Sequence, residues 1–419
     1  MPEPTHQDPA AANAAARAAG KEAGTGPADS IIMGCDLLRI GVFFDGTGNS
    51  REHIHLPDIS WHTNVDLLQR RYADTKGTTI KEINGNPRKV NYFSRYMRGI
   101  GVEEDGGTTM RGMGWGTGAE GVENRVRQAM DFILQDIQIK ASGMQPCDIW
   151  FDTFGFSRGS VAARDFANGV MDKEITYGSS RLKVKFMGLF DTVSSVGNAG
   201  NIGSYENVMI STVGNVAETI AHITAKDEVR ENFPLALAVK GTRIEVVGAH
   251  SDIGGGYDPG ILRDTFSFDS ADYPRMLSFY ETRWGVQDRN FKPGDDDRVT
   301  SFINKNLFTE DSRTVVLHTT AEQGIQFVTL RLMYDQAIAA GVPFPETMPD
   351  DFGGVNVTLA DNLQAYYDEL KDYPHSAKPE TELAIRRQYA HLSVNNDSAW
   401  GIIDYNLPER DAVRRVATI

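Results

Sequence analysis

The pentapeptide Gly155-Phe156-Ser157-Arg158-Gly159 follows the apolar run Ile149-Trp150-Phe151 and precedes a helix-compatible stretch from Ser160 to Val170. A G-x-S-x-G sequence between a strand and a helix is the pattern of a nucleophilic serine. A turn sharp enough to lift the hydroxyl above the carboxyl edge of a sheet has strained dihedrals and leaves no room for side chains beside it, hence the two glycines. Two further apolar runs end in residues able to complete such a site. Val184 to Phe190 delivers Asp191, and Ile244 to Ala249 delivers His250. The chain order serine, aspartate, histidine is that of an α/β-hydrolase.

Each residue type has its own task. Ser157 is a poor nucleophile until His250 accepts its proton, and His250 must later return that proton to the leaving alkoxide. A buried carboxylate at Asp191 would fix the imidazole tautomer and stabilise the imidazolium. Charge developing on the attacked carbonyl needs preoriented donors: the backbone N–H of Arg158 and one from the loop Asp45-Gly46-Thr47. Three other readings stand beside these. Asp191-Thr192 is also a common helix cap, Asp45 is also a residue that structures its own loop, and His391, in Tyr389-Ala390-His391-Leu392-Ser393, is an alternative base. His53, His55 and His62 cluster in sequence, but an H-x-H without positioned partners reads as loop surface, so no metal site is expected there.

The elements that must position these side chains alternate along the chain. Leu37 to Phe44 reads as a buried strand running into the loop Asp45-Gly46-Thr47-Gly48-Asn49. Thr117 and Glu120 suggest a capping box, followed by Val122, Val126, Met130, Ile133, Leu134 and Ile137 at helical spacing. Then come strand 149–154, the serine turn and its helix. Strand, helix, strand, helix predicts a parallel sheet, whose carboxyl edge lines a ligand crevice. Gly341 and Pro343 end a helix beginning near Gln326, and a shorter helix is expected from Glu380 to Tyr389. Residues 355–419 either brace the crevice through His391 or cover the sheet.

Composition narrows the function classes. The chain has 419 residues, 40% hydrophobic and 24% charged, enough for one elaborated α/β domain or two domains. A formal net charge of −15 argues against nucleic acid as a partner, and no G-x-x-x-x-G-K-[ST] sequence supports nucleotide binding at Gly46-Thr47-Gly48. Cys35 and Cys147 are the two cysteines; a single bridge is compatible with them, a disulfide framework is not. Residues 1–30, rich in alanine and without an apolar stripe or signal h-region, read as a disordered tail, and no segment has the length of a transmembrane helix.

Taken together, Phe43-Phe44-Asp45-Gly46-Thr47-Gly48-Asn49, the serine pentapeptide, Leu189-Phe190-Asp191-Thr192-Val193 and Gly248-Ala249-His250-Ser251-Asp252-Ile253-Gly254-Gly255-Gly256-Tyr257 resemble type VI lipase effector family 1. The resemblance spans roughly residues 36–345 and includes Phe327 to Ala340, similar to the family's helix after the histidine motif. It implies an α/β-hydrolase fold and phospholipase A1 or A2 activity. Ser157, Asp191 and His250 would be the triad. It also implies delivery by the type VI machine from the producer's cytoplasm into the periplasm of rival cells, a spike or carrier partner and a dedicated immunity protein. Loading from the cytoplasm would account for the lack of a signal peptide. Some relatives carry a long carboxyl-terminal membrane-binding module, which this chain is not expected to have.

The resulting expectation is an α/β-hydrolase-like domain over residues 31–419. It has a mostly parallel central sheet flanked by helices, with inserts at about 51–117 and 258–320 forming a cap or lid. Met110 to Trp115 in the first insert, and Phe266, Phe268, Tyr273, Met276 and Leu277 in the second, either line an acyl channel or pack the inserts down. Gly254-Gly255-Gly256 either admits substrate beside His250 or makes a tight turn. No cofactor is expected; Gly294-Asp295-Asp296-Asp297-Arg298 reads as a solvated turn that could bind calcium but lacks a supporting ligand pattern. The rival functions are a carboxylesterase or thioesterase acting on smaller acyl compounds, and a catalytically silent hydrolase-like binding module.

Overall fold

The computed structural model describes residues 35–54, 61–75, 79–83, 85–109, 111–198, 200–257, 261–269, 283, 302–304, 313–372, 377–391 and 414–419. The tail expected at 1–30, His55, Met110, Tyr273, Met276, Leu277 and the 294–298 run lie outside them. Of Phe266 and Phe268 the backbone alone is described.

The chain runs β1 (Asp36–Phe44), α1 (Asn64–Gln69), β2 (Thr79–Ile83), β3 (Asn86–Met97), a π-helical turn (Arg111–Trp115), α2 (Val122–Lys140), β4 (Pro146–Phe156), α3 (Arg158–Met171), β5 (Arg181–Phe190), β6 (Thr219–Ala225), β7 (Leu235–Leu237) and β8 (Thr242–Val246). It continues with α4 (His250–Gly254), β9 (Ile261–Asp269), β10 (Phe302–Asn304), β11 (Arg313–Glu322), α5 (Ile325–Ala339), α6 (Asp361–Asp372), α7 (Pro379–Tyr389) and β12 (Val416–Thr418). Seven strands form the central sheet in the order β2-β3-β1-β4-β5-β6-β8. Every pair is parallel except β2 with β3. Separately, β10-β11-β9 form an antiparallel sheet, and β12 pairs with β7.

Alternation along the strands sends side chains to two buried layers. Phe43, Phe154, Phe156, Phe186 and Phe190 face α1, α5, α6 and α7. Val42, Phe44, Phe151, Met187 and Leu189 face α2 and α3. The Phe43 and Phe154 rings stack at 4.7 Å across neighbouring strands. On the same face Arg39 forms a two-pronged pair with Asp152, at 2.7 and 2.9 Å, and also reaches the Gly341 carbonyl at the end of α5. Its charge is therefore used to fasten a helix to the sheet. The connection leaving β1 crosses one face through α1, and the one leaving β4 crosses the other through α3. The carboxyl ends of β1 and β4 are thus a topological switch point, where a crevice opens.

Two expectations are corrected. The first insert is not wholly a lid: β2 and β3 lie within it, and β3 pairs with β1 along eight residues from Leu37↔Val90 to Phe44↔Met97. Nor do Thr117 and Glu120 cap α2. Gly121 is its N-cap without a side-chain bond, and the Glu120 carboxylate goes instead to buried Arg125, at 2.6 Å. The apolar stripe itself is as expected, with Val122, Val126, Ile133 and Ile137 buried.

Cys35 and Cys147 are joined in a disulfide with Cα atoms 5.5 Å apart, at the amino ends of β1 and β4. The bridge closes a span of 112 residues, so removing it should cost roughly 2–4 kcal/mol. We expect the double variant Cys35→Ser, Cys147→Ser, and the reduced wild type, to melt several degrees lower by calorimetry. Equal melting temperatures with and without reductant would remove the bridge from the stabilising contacts.

Candidate active site

Ser157 sits between β4 and α3 with φ 58° and ψ −127°, a backbone that L-residues avoid. The glycines around it are required by contact. A Cβ on Gly155 would lie 2.4 Å from the Gly159 carbonyl oxygen, and one on Gly159 would lie 2.3 Å from the carbonyl oxygens of Phe44 and Asp45. The turn is therefore pressed against the end of β1. The Ser157 amide donates to the Phe190 carbonyl at 3.0 Å, which ties the serine to the residue before Asp191.

Asp191 has φ 41° and is fully buried. No helix follows it, so it is not a helix cap. Its Oδ2 accepts from His250 Nδ1 at 2.6 Å, and its Oδ1 from the Ala225 amide at 2.9 Å. Arg414 completes the set with two bonds, Nη1 to Oδ1 at 2.6 Å and Nη2 to Oδ2 at 2.8 Å. Burial pushes this carboxyl group up, but the Arg414 charge and the His250 bond outweigh it and hold Asp191 well below the usual carboxylate range. Asp191 is therefore ionised throughout the physiological range. Burial lowers the His250 pKa against the pull of Asp191, so the imidazole is neutral near pH 7 and able to accept a proton. Its ring packs against Phe156, 4.6 Å between centroids, and Phe233, 5.1 Å. Phe156 precedes Ser157, which brings the histidine to the serine turn.

His250 opens α4, and three consecutive amides ahead of and at it are each held by a carboxylate. Gly248 donates to Asp227 at 2.9 Å, Ala249 to Asp252 at 2.8 Å and His250 to Glu228 at 3.2 Å. Each carboxylate has a positive or proton-bearing partner: Arg386 on Asp227 at 2.9 Å, His391 on Asp252 at 2.6 Å, and Arg230 on Glu228 at 2.7 Å. Burial would raise Glu228, but Arg230 draws it down to about 2. The histidine loop is thus held by charge-assisted bonds. His391 lies in this shell, stacked on Tyr257 at 3.8 Å and bonded to a carboxylate other than Asp191. The residues after α6 do brace the crevice through His391, joined by Arg386 of α7.

The loop after β1 is built around Asp45. Its Oδ1 accepts from the Gly46 amide and the Thr63 hydroxyl, both at 2.7 Å, and its Oδ2 from the Tyr96 hydroxyl at 2.5 Å. Burial pushes this carboxyl group up to about 6. The Gly46 amide, expected as an oxyanion donor, is therefore engaged by its neighbour's carboxylate. Gly46 nonetheless touches the serine turn, since a Cβ there would lie 2.4 Å from the Phe156 ring. In the same loop the Thr47 hydroxyl is buried and makes no hydrogen bond among the described residues. Arg158 is the first residue of α3, whose opening amides have no intrahelical acceptors. Its guanidinium bonds the carbonyls of Gly112 and Met113, fixing the π-helical turn beside the site.

Elsewhere, His53 bonds Ser50 at 3.0 Å and His62 bonds Asp66 at 2.6 Å; these histidines do not converge. Among the described residues, Cys35, Cys147 and Asp148 are the group spaced closely enough for a metal ion, and both cysteines there are in the disulfide. Arg414, Asp227, Glu228 and Asp252 escaped the sequence reading. Asp252 lay inside the quoted histidine motif, and Asp227-Glu228 directly follow β6. Arg414 carried no local signal.

Residues 169–284 match a family model described as T6SS, phospholipase effector Tle1-like, catalytic domain. The match covers Asp191 and His250 and begins after Ser157. Among solved structures, the chain is similar to the Tle1 effector in its complex with the VgrG spike of the type 6 secretion system. That likeness has a TM-score of 0.64 and 21% identity over 92% of this chain and 94% of the other. An uncharacterized protein from Pseudomonas aeruginosa is similar at a TM-score of 0.50 and 17% identity, over 90% of this chain and 56% of its own. No curated protein matches the sequence. The resemblance to type VI lipase effector family 1 thus holds in sequence and in fold, and the fold is α/β-hydrolase-like.

Proposed function

We propose that this protein is a type VI secretion phospholipase that cleaves acyl esters of glycerophospholipids, with Ser157 as nucleophile, His250 as general base and acid, and Asp191 as the orienting carboxylate. The observation that carries the reading is the 2.6 Å bond from His250 Nδ1 to Asp191, beside a strained serine at a strand-to-helix turn. The similarity to Tle1-like effectors supplies the substrate class.

The steps follow from the groups present. Ser157 Oγ attacks the ester carbonyl carbon as His250 Nε2 takes its proton, and the imidazolium is stabilised by Asp191. The carbonyl oxygen becomes an alkoxide, for which the Arg158 amide and Thr47 are the proposed donors. Collapse expels the lysolipid alkoxide, which takes the proton from His250 and leaves an acyl-serine. Water, deprotonated by His250, then releases the fatty acid. A spike protein of the VgrG kind is the proposed carrier, a cognate immunity protein the second partner, and the target-cell periplasm the site of action. None of the helices among the described residues is long and apolar enough to cross a membrane.

The test is to incubate wild-type and Ser157→Ala protein with vesicles of phosphatidylethanolamine and phosphatidylglycerol carrying two distinguishable acyl chains, and to resolve the products by mass spectrometry. We expect Ser157-dependent release of fatty acid and lysolipid, with the retained chain reporting A1 or A2 position. Labelling by a fluorophosphonate without lipid cleavage would assign a smaller acyl substrate. Neither labelling nor cleavage would assign the silent binding module.

A further inference from the structure

We propose that Arg414 is a positioning residue of this site: its two-pronged grip fixes the orientation of Asp191, and its charge offsets that of the carboxylate so that His250 releases its proton readily. The inference rests on the serine-hydrolase reading above and goes beyond it, since the catalytic role of a triad requires no cation on its aspartate.

An ionised carboxylate has about four acceptor positions, and all four of Asp191 are occupied. Oδ1 takes the Ala225 amide and Arg414 Nη1, and Oδ2 takes His250 Nδ1 and Arg414 Nη2. Arg414 Nε donates to the Phe233 carbonyl at 2.6 Å, and the Phe233 ring lies edge-on to His250. One guanidinium therefore fixes both the carboxylate and the backbone of a residue packed on the imidazole.

The delivery of Arg414 is also specific. One residue, Arg415, separates it from β12, and β12 pairs in parallel with β7 from Val416↔Leu235 to Thr418↔Leu237. The Leu235 amide donates to the Arg415 carbonyl at 2.8 Å and the Ile419 amide to Leu237 at 2.9 Å. Two three-residue strands are marginal alone. Here buried Arg164 of α3 donates to the carbonyls of Ala236 and Ile419 and binds both strands to the domain.

The charge has a definite sign of effect. A lone ionised aspartate holds the proton on its histidine; a cation on the far side of that aspartate works against it. Other charged groups also act on the pair: Arg230 lowers His250 and Glu228 raises it, the two bonding each other in the segment after β6, and His222 of β6, with Arg243 nearby, is pushed down to about 3 by burial and so stays neutral. Arg164 also acts on His222, and Asp252 of α4 is paired with His391. None of these touches the Asp191 carboxylate as Arg414 does.

The test compares wild type, Arg414→Gln and Arg414→Lys in two readouts: the pH profile of kcat/KM on a phospholipid substrate, and the titration of the His250 ring by NMR with labelled histidine, assigned by its absence in His250→Ala. For Arg414→Gln we expect the acid limb and the ring titration both to move up by roughly one pH unit, with a loss in kcat larger than any change in KM. Arg414→Lys keeps the charge and loses the fork, so its acid limb should stay near that of wild type while kcat falls. A folded Arg414→Gln whose His250 titrates as in wild type would overturn the proposal. If that variant does not fold, Arg414→Lys decides: a displaced acid limb contradicts the charge role, an unmoved one with reduced kcat supports it. Absence of Ser157-dependent turnover in wild type would end the hydrolase reading, and the ring titration would still judge Arg414.

Discussion

Ser157→Ala is expected to lower turnover by roughly 10⁴- to 10⁶-fold, the scale for removing a serine nucleophile, while the protein folds as before. The alanine keeps the Cβ and removes a hydroxyl at the carboxyl edge of β4, and the residue's backbone bonds, its amide to Phe190 and its carbonyl from the Ser160 amide, are untouched. The stability change should be within about 0.5 kcal/mol. Ser157→Gly extends the argument: glycine tolerates φ 58°, ψ −127°, so that inactive variant should melt no lower than wild type. Turnover retained in purified, folded Ser157→Ala would sink the nucleophile assignment. The measurement is steady-state hydrolysis beside a thermal melt on the same preparations.

The second large effect separates two histidines. His250→Ala should lose at least about 10⁴-fold in kcat, and it should still fold, because Asp191 remains paired with Arg414 and no bare charge is buried. His391→Ala should lose less than about tenfold in kcat, an estimate for a residue one contact removed from the chemistry. Its cost should appear in stability instead. Asp252 would keep its bond from the Ala249 amide but lose the 2.6 Å bond from the imidazole, a truncation that leaves a buried carboxylate under-satisfied. Melting temperature and kcat should therefore rank the two variants in opposite orders. If His391→Ala proves the less active of the two, the base role passes to His391.

What was legible in the sequence lies where steric demand and chemical demand coincide. The serine turn needs glycines on both sides because Gly155 and Gly159 touch backbone, and it needs a hydroxyl between them, so five adjacent residues report one structure. Asp191 and His250 follow buried strands whose apolar runs end abruptly, and this marks the carboxyl edge. β3 was missed because its amino half, Asn86-Pro87-Arg88-Lys89, is polar and pairs outward with β2; the pattern that identifies a central strand begins at Val90. β6 is short and mixes Thr, Ala and a buried His222, which reads as no particular period. Arg414 lies more than two hundred residues from Asp191 in sequence, and pairing at that range leaves no local trace. The capping box failed for a competitive reason: a nearby buried arginine needed the Glu120 carboxylate more than the helix terminus did.

The disulfide joins the amino ends of β1 and β4, whereas Ser157 lies beyond the carboxyl end of β4. Cys147 and Ser157 are thus a strand's length apart, on the order of 33 Å for extended chain. At that distance, we expect cleaving the bridge to leave the dihedrals of the serine turn, the Asp191–His250 bond and the carboxylates around the histidine loop in place. Turnover per folded molecule should then be the same in reducing and oxidising surroundings, while the time each molecule stays folded differs. The redox state of the compartment would set how long the protein works and leave unchanged how fast.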